Sequence, residues 1–314
     1  MLSRAIKSLL DQTFTDWMCE VHNDSPGDTF PGEYVASLND GRFIIQDHTK
    51  NLGGTSSFNL AFAGCEEKYA SILEDDNWWE PSFLEEMTAL MEAKPDIDVA
   101  WSNMRVWIEG DNNSWINTGN TIWPEGKDHL FTWPQSQQAL GAMHSTGAMM
   151  YRSINAVKYV IPAETLLDSV ELVRERAFKH PIYLHSNVLA NFSITAFTNR
   201  SGISWKWIVT QVMQLGSFVM AANDKEAAFS GTLSYYREKK SYAVVTFFLV
   251  NHFFVKENSL YKYFGARDWY VYIKWLMKTN FKLFAIKKHL KSQAAVYDFL
   301  LTNTRDRYNE IAGR

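Results

Sequence analysis

The chain has 314 residues, 46% apolar and 21% charged, with a formal net charge of −4. This composition fits a globular core in one large or two modest domains. It excludes the broad basic field expected of a nucleic-acid binder. The two cysteines, Cys19 and Cys65, show neither metal spacing nor a disulfide framework, so a reducing, cytoplasmic setting is expected. Aromatic residues reach 15%, with 12 Trp. They can fill a core, meet a membrane interface or cover the flat apolar face of a sugar.

Leu2, Ile6, Leu9 and Leu10 recur at helical spacing, which predicts an amphipathic helix over 2–12 and no signal peptide. Residues 17–22 read as a strand, followed by the turn-rich acidic loop Asn23-Asp24-Ser25-Pro26-Gly27-Asp28. Residues 43–46 form a second short strand. Residues 51–57 then read as a loop and cap, with a helix over 58–63. A strand over 69–73 leads into Glu74-Asp75-Asp76, and Pro81 opens a helix over 81–93. Residues 99–108 make another strand. Strands alternating with helices at this spacing predict an α/β fold with a doubly wound, mostly parallel sheet.

The acids at 74–76 are the centre of the chain. A strand that delivers carboxylates at its C-terminal tip is how an open α/β sheet presents a ligand site. Hard cations such as Mg²⁺ or Mn²⁺ take oxygen ligands, commonly one or two carboxylates plus substrate phosphates. Asp75 and Asp76 are therefore candidates for a metal–diphosphate site. A solvated acidic turn that caps a helix is the alternative.

Four segments in order carry a resemblance. They are 2–17 with its Gln12-Thr13-Phe14 turn; Asn23-Asp24-Ser25 with Asp28; Asn51-Leu52-Gly53 with Asn59; and Glu74-Asp75-Asp76 followed by Trp79 and Pro81. Together they resemble the family-two glycosyltransferases of GT-A fold, over roughly residues 2–200. The resemblance implies a transferase domain over 1–203 and a helical C-terminal region over 204–314. It implies transfer of a sugar from a nucleotide-sugar, a UDP-sugar first of all, to a hydroxyl of a saccharide or lipid-linked acceptor. It further implies inversion, with Mn²⁺ or Mg²⁺ as cofactor. Asp76 and Asp75 would hold the metal, with Glu74 near them, and Asp75 would also face the diphosphate. Asp24 would meet the base or ribose, and Asn59 would belong to the donor half.

Asp168 matches the position of the family's catalytic base, with Glu171 in reserve. An N-cap with a capping box to Glu171 is the competing explanation of the same pair. No histidine occupies 199–201, where some relatives place a metal ligand, so Arg200 is assigned to the diphosphate instead. Two departures stand out. The family's first strand, which bears a Pro-x-Tyr-Asn-like motif, has no counterpart here, so the sheet should lack a strand and expose edges. Phe58 stands where many members carry an Arg.

Between 103 and 142, Asn112-Asn113 and Gly119-Asn120 suggest hairpin turns, in an acceptor-side insertion or a surface meander. Residues 144–152 resemble the strand behind the family's sugar site, with small residues that admit a substrate. Residues 181–185 form the next strand. From residue 205 the chain reads as helices over 205–222, 224–239, 241–256 and 268–300. Lys274, Lys278 and Lys282 share one helical face, Lys287, Lys288 and Lys291 follow, and aromatics interleave with them. This could lie on an anionic membrane surface, or be a solvated helical appendage. No run of about 18 or more apolar residues is present, so no transmembrane helix is expected. A binding-only relative, a membrane scaffold and a nucleotidyltransferase are the rival classes.

Overall fold

The computed structural model describes residues 1–111, 114–124, 126–142, 146–195, 205–239 and 244–312. The chain divides into two compact units. One comprises Met1–Phe131, His144–Val160 and Phe178–Asn199; the other comprises Thr132–Met143, Ile161–Ala177 and Arg200–Arg314. The C-terminal helices thus cluster with two earlier segments, and one of these carries Asp168.

In the first unit, α1 (Leu2–Leu10) buries Ala5, Ile6 and Leu9, the stripe that the sequence spacing predicts. Each large apolar side chain of that stripe contributes about 1.5–3 kcal/mol by leaving water. The chain beyond α1 is stitched to the segment after the acids. Gln12 donates to the Glu80 carbonyl (2.8 Å) and accepts from the Leu84 N–H (2.9 Å), and the Thr13 N–H donates to the Pro81 carbonyl (2.9 Å). This gives the Gln-Thr turn a physical purpose: it fixes where the acidic stretch leaves the sheet.

The strands β1 (Cys19–Asn23) and β2 (Phe43–Asp47) pair in parallel as a sheet of their own. Between them lies α2 (Phe30–Leu38), a helix the sequence reading did not anticipate, because its only buried side chain is Val35 and its apolar periodicity is weak. The larger sheet holds β3 (Tyr69–Ser71), β4 (Trp78–Trp79), β5 (Val99–Glu109), β6 (Trp115–Thr121), β7 (His129–Phe131), β8 (Met149–Arg152) and β9 (Ile182–Ile194). Its main path runs β3-β8-β5-β9-β4, with β6 on β5 and β7 on β9. The helix α3 (Gly54–Leu60) starts earlier than expected, and α4 (Phe83–Ala93) starts two residues after Pro81.

The α/β class with helices at the C-terminal end is as expected; the pairing is less parallel. Among the described residues only β1–β2 and β5–β9 are parallel, and the other pairings are antiparallel. The cause is local. β5 and β6 form a hairpin, and β4, a two-residue strand, runs back along β9 instead of following a helical crossover. Among the described residues no strand joins the β1–β2 pair to the larger sheet. Gly119 and Asn120 lie inside β6 instead of forming a turn, with Gly119 at φ +74°. Asn112 and Asn113 fall outside the described residues.

An aromatic core holds the first unit together. Phe62 packs at 5.0 Å on Tyr151, and Phe178 meets Tyr159 at 4.8 Å and Trp101 at 5.5 Å. Part of the unusual aromatic content is therefore interior packing.

The second unit contains α5 (Val170–Arg174), α6 (Trp205–Ala221), α7 (Lys225–Glu238), α8 (Val244–Val250), α9 (Ala266–Lys278), α10 (Leu283–Ser292) and α11 (Ala294–Ala312). The long helix expected over 268–300 is broken twice. Asn280 and Phe281 take positive φ, which ends the first helix, and a second break follows at Gln293. Arg176 and Glu175 are buried here as a pair, and Arg176 lies 3.8 Å from the Trp133 ring.

Candidate active site

The acidic stretch follows β3 as a tight turn closed by the Asn77 N–H donating to the Glu74 carbonyl (3.1 Å). Asp75 is exposed and Asp76 half-buried. Two residues distant in sequence hold the turn. The Arg4 guanidinium donates to the Asp76 carbonyl (2.6 Å) and to Ser193 Oγ (3.0 Å). Ser193 Oγ also donates to the Asp76 carbonyl, and the Ser193 N–H donates to Asn77 Oδ1 (2.9 Å). Asn77 is 1% exposed and its amide donates to the Glu74 carboxylate. Glu74 is thus engaged within the turn, while Asp75 and Asp76 carry its outward charge.

Arg4 lies between two indole rings, 3.9 Å from the centroids of Trp78 and of Trp115. Each such cation–π contact contributes about 0.5–2 kcal/mol. Burial pulls the Arg4 pKa down, opposed by Asp76 and Glu109. Burial raises the Asp76 pKa, and the charge of Asp75 raises it further; Arg4 compensates only in part.

Two adjacent carboxylates, one of them desolvated and repelled by the other, favour a cation between them. Among the described residues no group of three or more His, Cys, Asp or Glu is placed to hold a metal. The donor set therefore does not suit a closed structural site. It does fit a hard divalent ion that takes one or two carboxylates and completes its shell with water and phosphate oxygens.

Gly147 explains the small residues of the segment before β8. A Cβ there would lie 3.0 Å from both the Asn77 amide and the Glu74 carboxylate, and the Gly147 carbonyl accepts from Trp79 Nε1 (2.7 Å). Its smallness admits the acidic turn itself. His144 and Ser145 lie outside the described residues. Trp79 is a core residue, 5% exposed and stacked on Phe83 at 4.2 Å. Trp78 is only half-buried and also meets Trp107.

Asp24 sits in the loop after β1. Both of its carboxylate oxygens accept, one from the Leu52 N–H (2.6 Å) and the other from Ser57 Oγ (2.6 Å). Asn51 Nδ2 donates to its carbonyl (2.7 Å). Desolvation raises its pKa, but Ser57 and the Leu52 and Gly53 N–H groups outweigh this and the net shift is downward. The geometry ties the Asn23-Asp24-Ser25 loop to the start of α3, the helix that carries Asn59. Two of the resembling segments thereby become one structural piece.

Asp168 is exposed, in a 3₁₀ turn over Leu167–Ser169 of the second unit. The N-cap of α5 is Ser169, not Asp168, and the Ser169 side chain makes no cap bond. Arg200 lies outside the described residues. Sequence reasoning missed Arg4, Asn77 and Ser193. Arg4 had a signal, the one arginine on an otherwise apolar-striped first helix. Ser193 had none, since its partners are more than a hundred residues away.

The comparisons with known proteins agree with this frame. Residues 1–157 match the family model described as Glycosyl transferase family 2, half of the 314-residue chain. No curated protein matches the chain. The crystal structure of S. aureus TarS is similar at a TM-score of 0.55 and 12% identity, over 96% of this chain and 52% of that one, so this chain spans about half of that protein's length. TarS 1-349 in complex with UDP-GlcNAc gives 0.55 and 12%, over 98% of this chain and 85% of that one. Its complex with UDP gives 0.54 and 12%, over the same shares. At such identity these likenesses show a common fold, here the GT-A fold. With half of its length matched by the family model, the chain belongs to glycosyl transferase family 2.

Proposed function

We propose that the protein moves a sugar from a nucleotide-sugar, a UDP-sugar first of all, to a hydroxyl of a saccharide or lipid-linked acceptor, with inversion and with Mn²⁺ or Mg²⁺ as cofactor. The observation that carries this reading is the acidic turn, with Asp75 and Asp76 adjacent and Asp76 held by Arg4 and Ser193 through its carbonyl, which leaves the carboxylate for another ligand. Family membership supports it, as do the structural relatives described as complexes with UDP and UDP-GlcNAc.

In this reading Asp76 and Asp75 hold the metal, which would neutralise charge developing on the leaving nucleoside diphosphate. Asp24 and Asn59 orient the nucleoside, and Asp75 and Arg200 face the diphosphate. Asp168 accepts the proton of the attacking hydroxyl. The transferase portion is residues 1–203, and 204–314 is the helical region.

The test is UDP release with a panel of nucleotide-sugars, candidate acceptors and Mn²⁺. Metal-dependent release that a chelator abolishes and fresh Mn²⁺ restores is expected. Absence of any UDP binding sinks the reading. Binding without turnover on any acceptor would favour a binding-only relative, to which the engagement of both Asp24 oxygens by Leu52 and Ser57 lends some weight.

We also infer that the protein works in the cytoplasm, peripherally on an anionic membrane face. Among the described residues no helix is long and apolar enough to cross a membrane. Around α9 and α10, however, Tyr270, Ile273, Met277, Phe281 and Phe284 are exposed, the last two at 63% and 80%. Lys274, Lys278, Lys282, Lys287, Lys288 and Lys291 are also exposed. None of these lysines forms an ion pair among the described residues. Interfacial attachment combines such apolar insertion with cation–lipid attraction. The full chain should sediment with vesicles containing phosphatidylserine and not with phosphatidylcholine vesicles, and Lys274→Glu/Lys278→Glu/Lys282→Glu should lose sedimentation. Equal sedimentation with neutral vesicles would refute the electrostatic part.

A further inference from the structure

The strand β9 departs from β5 between His185 and Val188, where its register shifts past Ser102 and Asn103. Bulges of this kind often border functional sites, because they re-aim side chains. Beside the departure lies a shallow, open surface cavity of about 550 Å³ lined by Arg105, Gly126, Ser186, Asn187, Val188 and Leu189. That volume suits a small-molecule ligand or one sugar unit.

Arg105 is the one charged residue among these six. Its guanidinium forms no hydrogen bond or ion pair among the described residues. The neighbouring acids are already engaged. Asp128 accepts from the Tyr183 hydroxyl (2.7 Å), His185 Nδ1 (3.1 Å), the Ser186 N–H (2.8 Å) and the Ser186 hydroxyl (2.7 Å). Burial raises its pKa, but these donors hold the carboxyl well below the usual range. Glu86 accepts from Ser82 Oγ (2.6 Å) and Asn187 Nδ2 (2.8 Å) and lies 3.6 Å from His185 Nε2. A cation left unpaired in a polar cavity, with the nearby acids engaged elsewhere, attracts an anion. A guanidinium fork matches a phosphate or carboxylate in two parallel hydrogen bonds.

The cavity also faces the right way. Arg105 stands opposite Asn191 in the β5–β9 register, so both side chains leave the same face of the sheet. Asn191 donates to Glu80 Oε1 (2.9 Å) and to the Trp78 carbonyl (3.4 Å). Ser193, on that same face, holds Asp76 and Asn77. Two strand residues, about 7 Å, therefore separate Arg105's partner from the residue that fixes the acidic turn. Gly126 and Arg105 belong to the 103–142 segment, in keeping with an acceptor-side insertion.

We propose that this cavity binds an anionic group of the acceptor, a phosphate ester or a uronate carboxylate, with Arg105 as the group that selects it. The proposal rests on the glycosyltransferase reading, since it concerns the second substrate.

The test measures binding of glycerol 3-phosphate and of glucuronate to the full chain by titration calorimetry, with UDP and Mn²⁺ saturating so that the diphosphate site is filled. At least one probe should bind the wild type, and Arg105→Gln should weaken it tenfold or more, with Arg105→Lys between the two and UDP affinity equal in all three. The arm that binds more tightly, phosphate or carboxylate, identifies the acceptor's anion. If neither probe binds the wild type, or if Arg105→Gln binds as well as the wild type, the proposal is overturned. UDP that fails to bind would instead defeat the glycosyltransferase reading, and the same titrations without UDP would still decide the cavity.

Discussion

Asp76→Ala is expected to abolish metal-dependent donor binding and to lower turnover by roughly 10²–10³-fold. A bound cation contributes several kcal/mol to a developing phosphate charge, and each 1.36 kcal/mol is a factor of about ten. The substitution removes only the carboxylate. The contacts that shape the turn, from Arg4 and Ser193, go to the backbone carbonyl and remain. The sign of the stability change separates the two possible causes of inactivity. Burial and Asp75 raise the Asp76 pKa above its unfolded value. An acid with a raised folded pKa is penalised in its charged form, so at neutral pH without metal the native state bears that penalty. Removing the carboxylate relieves it. The metal-free variant should therefore melt no lower than the wild type, whereas the rise in Tm on adding Mn²⁺ and UDP should vanish. Unchanged Mn²⁺-dependent UDP affinity in Asp76→Ala would remove the assignment.

How far the sequence reached follows from the range of the interactions involved. Segments whose periodicity and punctuation are local were legible: α1 from its Leu and Ile spacing, α4 after Pro81, and the acidic turn from its three carboxyls. Strand direction was not legible. Alternating strands and helices suggested parallel pairing, but β4, β6, β7 and β8 enter the sheet antiparallel. Nothing within a single strand, whether the two residues of β4 or the seven of β6, specifies which way it runs against its neighbour. The length of β9, thirteen residues where five were expected, depends on its long register with β5, a non-local fact. The site shows the same division. Asp24, Asp75 and Asp76 stand out as acids in turns. The residues around them are a serine at 57 on Asp24, a serine at 193 and an arginine at 4 on Asp76, and a glycine at 147 that makes room for the turn, types so common that only the fold gives them meaning. Arg105 belongs with these: its lack of a partner among the described residues is a property of the folded chain.

Asp168→Asn should retain UDP-sugar and metal binding and lose transfer, by roughly 10²–10⁴-fold, the usual contribution of a positioned general base. The substitution preserves shape and hydrogen-bonding capacity while removing the basic oxygen. The principal structural explanation of an acid at this place was the helix cap, and an Asp cap is worth about 1 kcal/mol. Ser169 occupies the cap of α5, and its hydroxyl donates to the Leu166 carbonyl (2.9 Å) instead of capping the helix. Asp168 is exposed in the preceding turn and Asn keeps its shape and hydrogen-bonding capacity, so Tm should change little. A kcat that falls with the donor KM constant, at unaltered stability, is the signature of a group that acts only as the hydroxyl is deprotonated. Glu171→Gln is the comparison, because Glu171 lies in the first turn of α5, three residues on. If Asp168→Asn transfers normally and Glu171→Gln does not, the base is Glu171. If neither changes kcat, the proton goes to a group that this segment does not supply, and the carry-over from the family's pattern fails at this position.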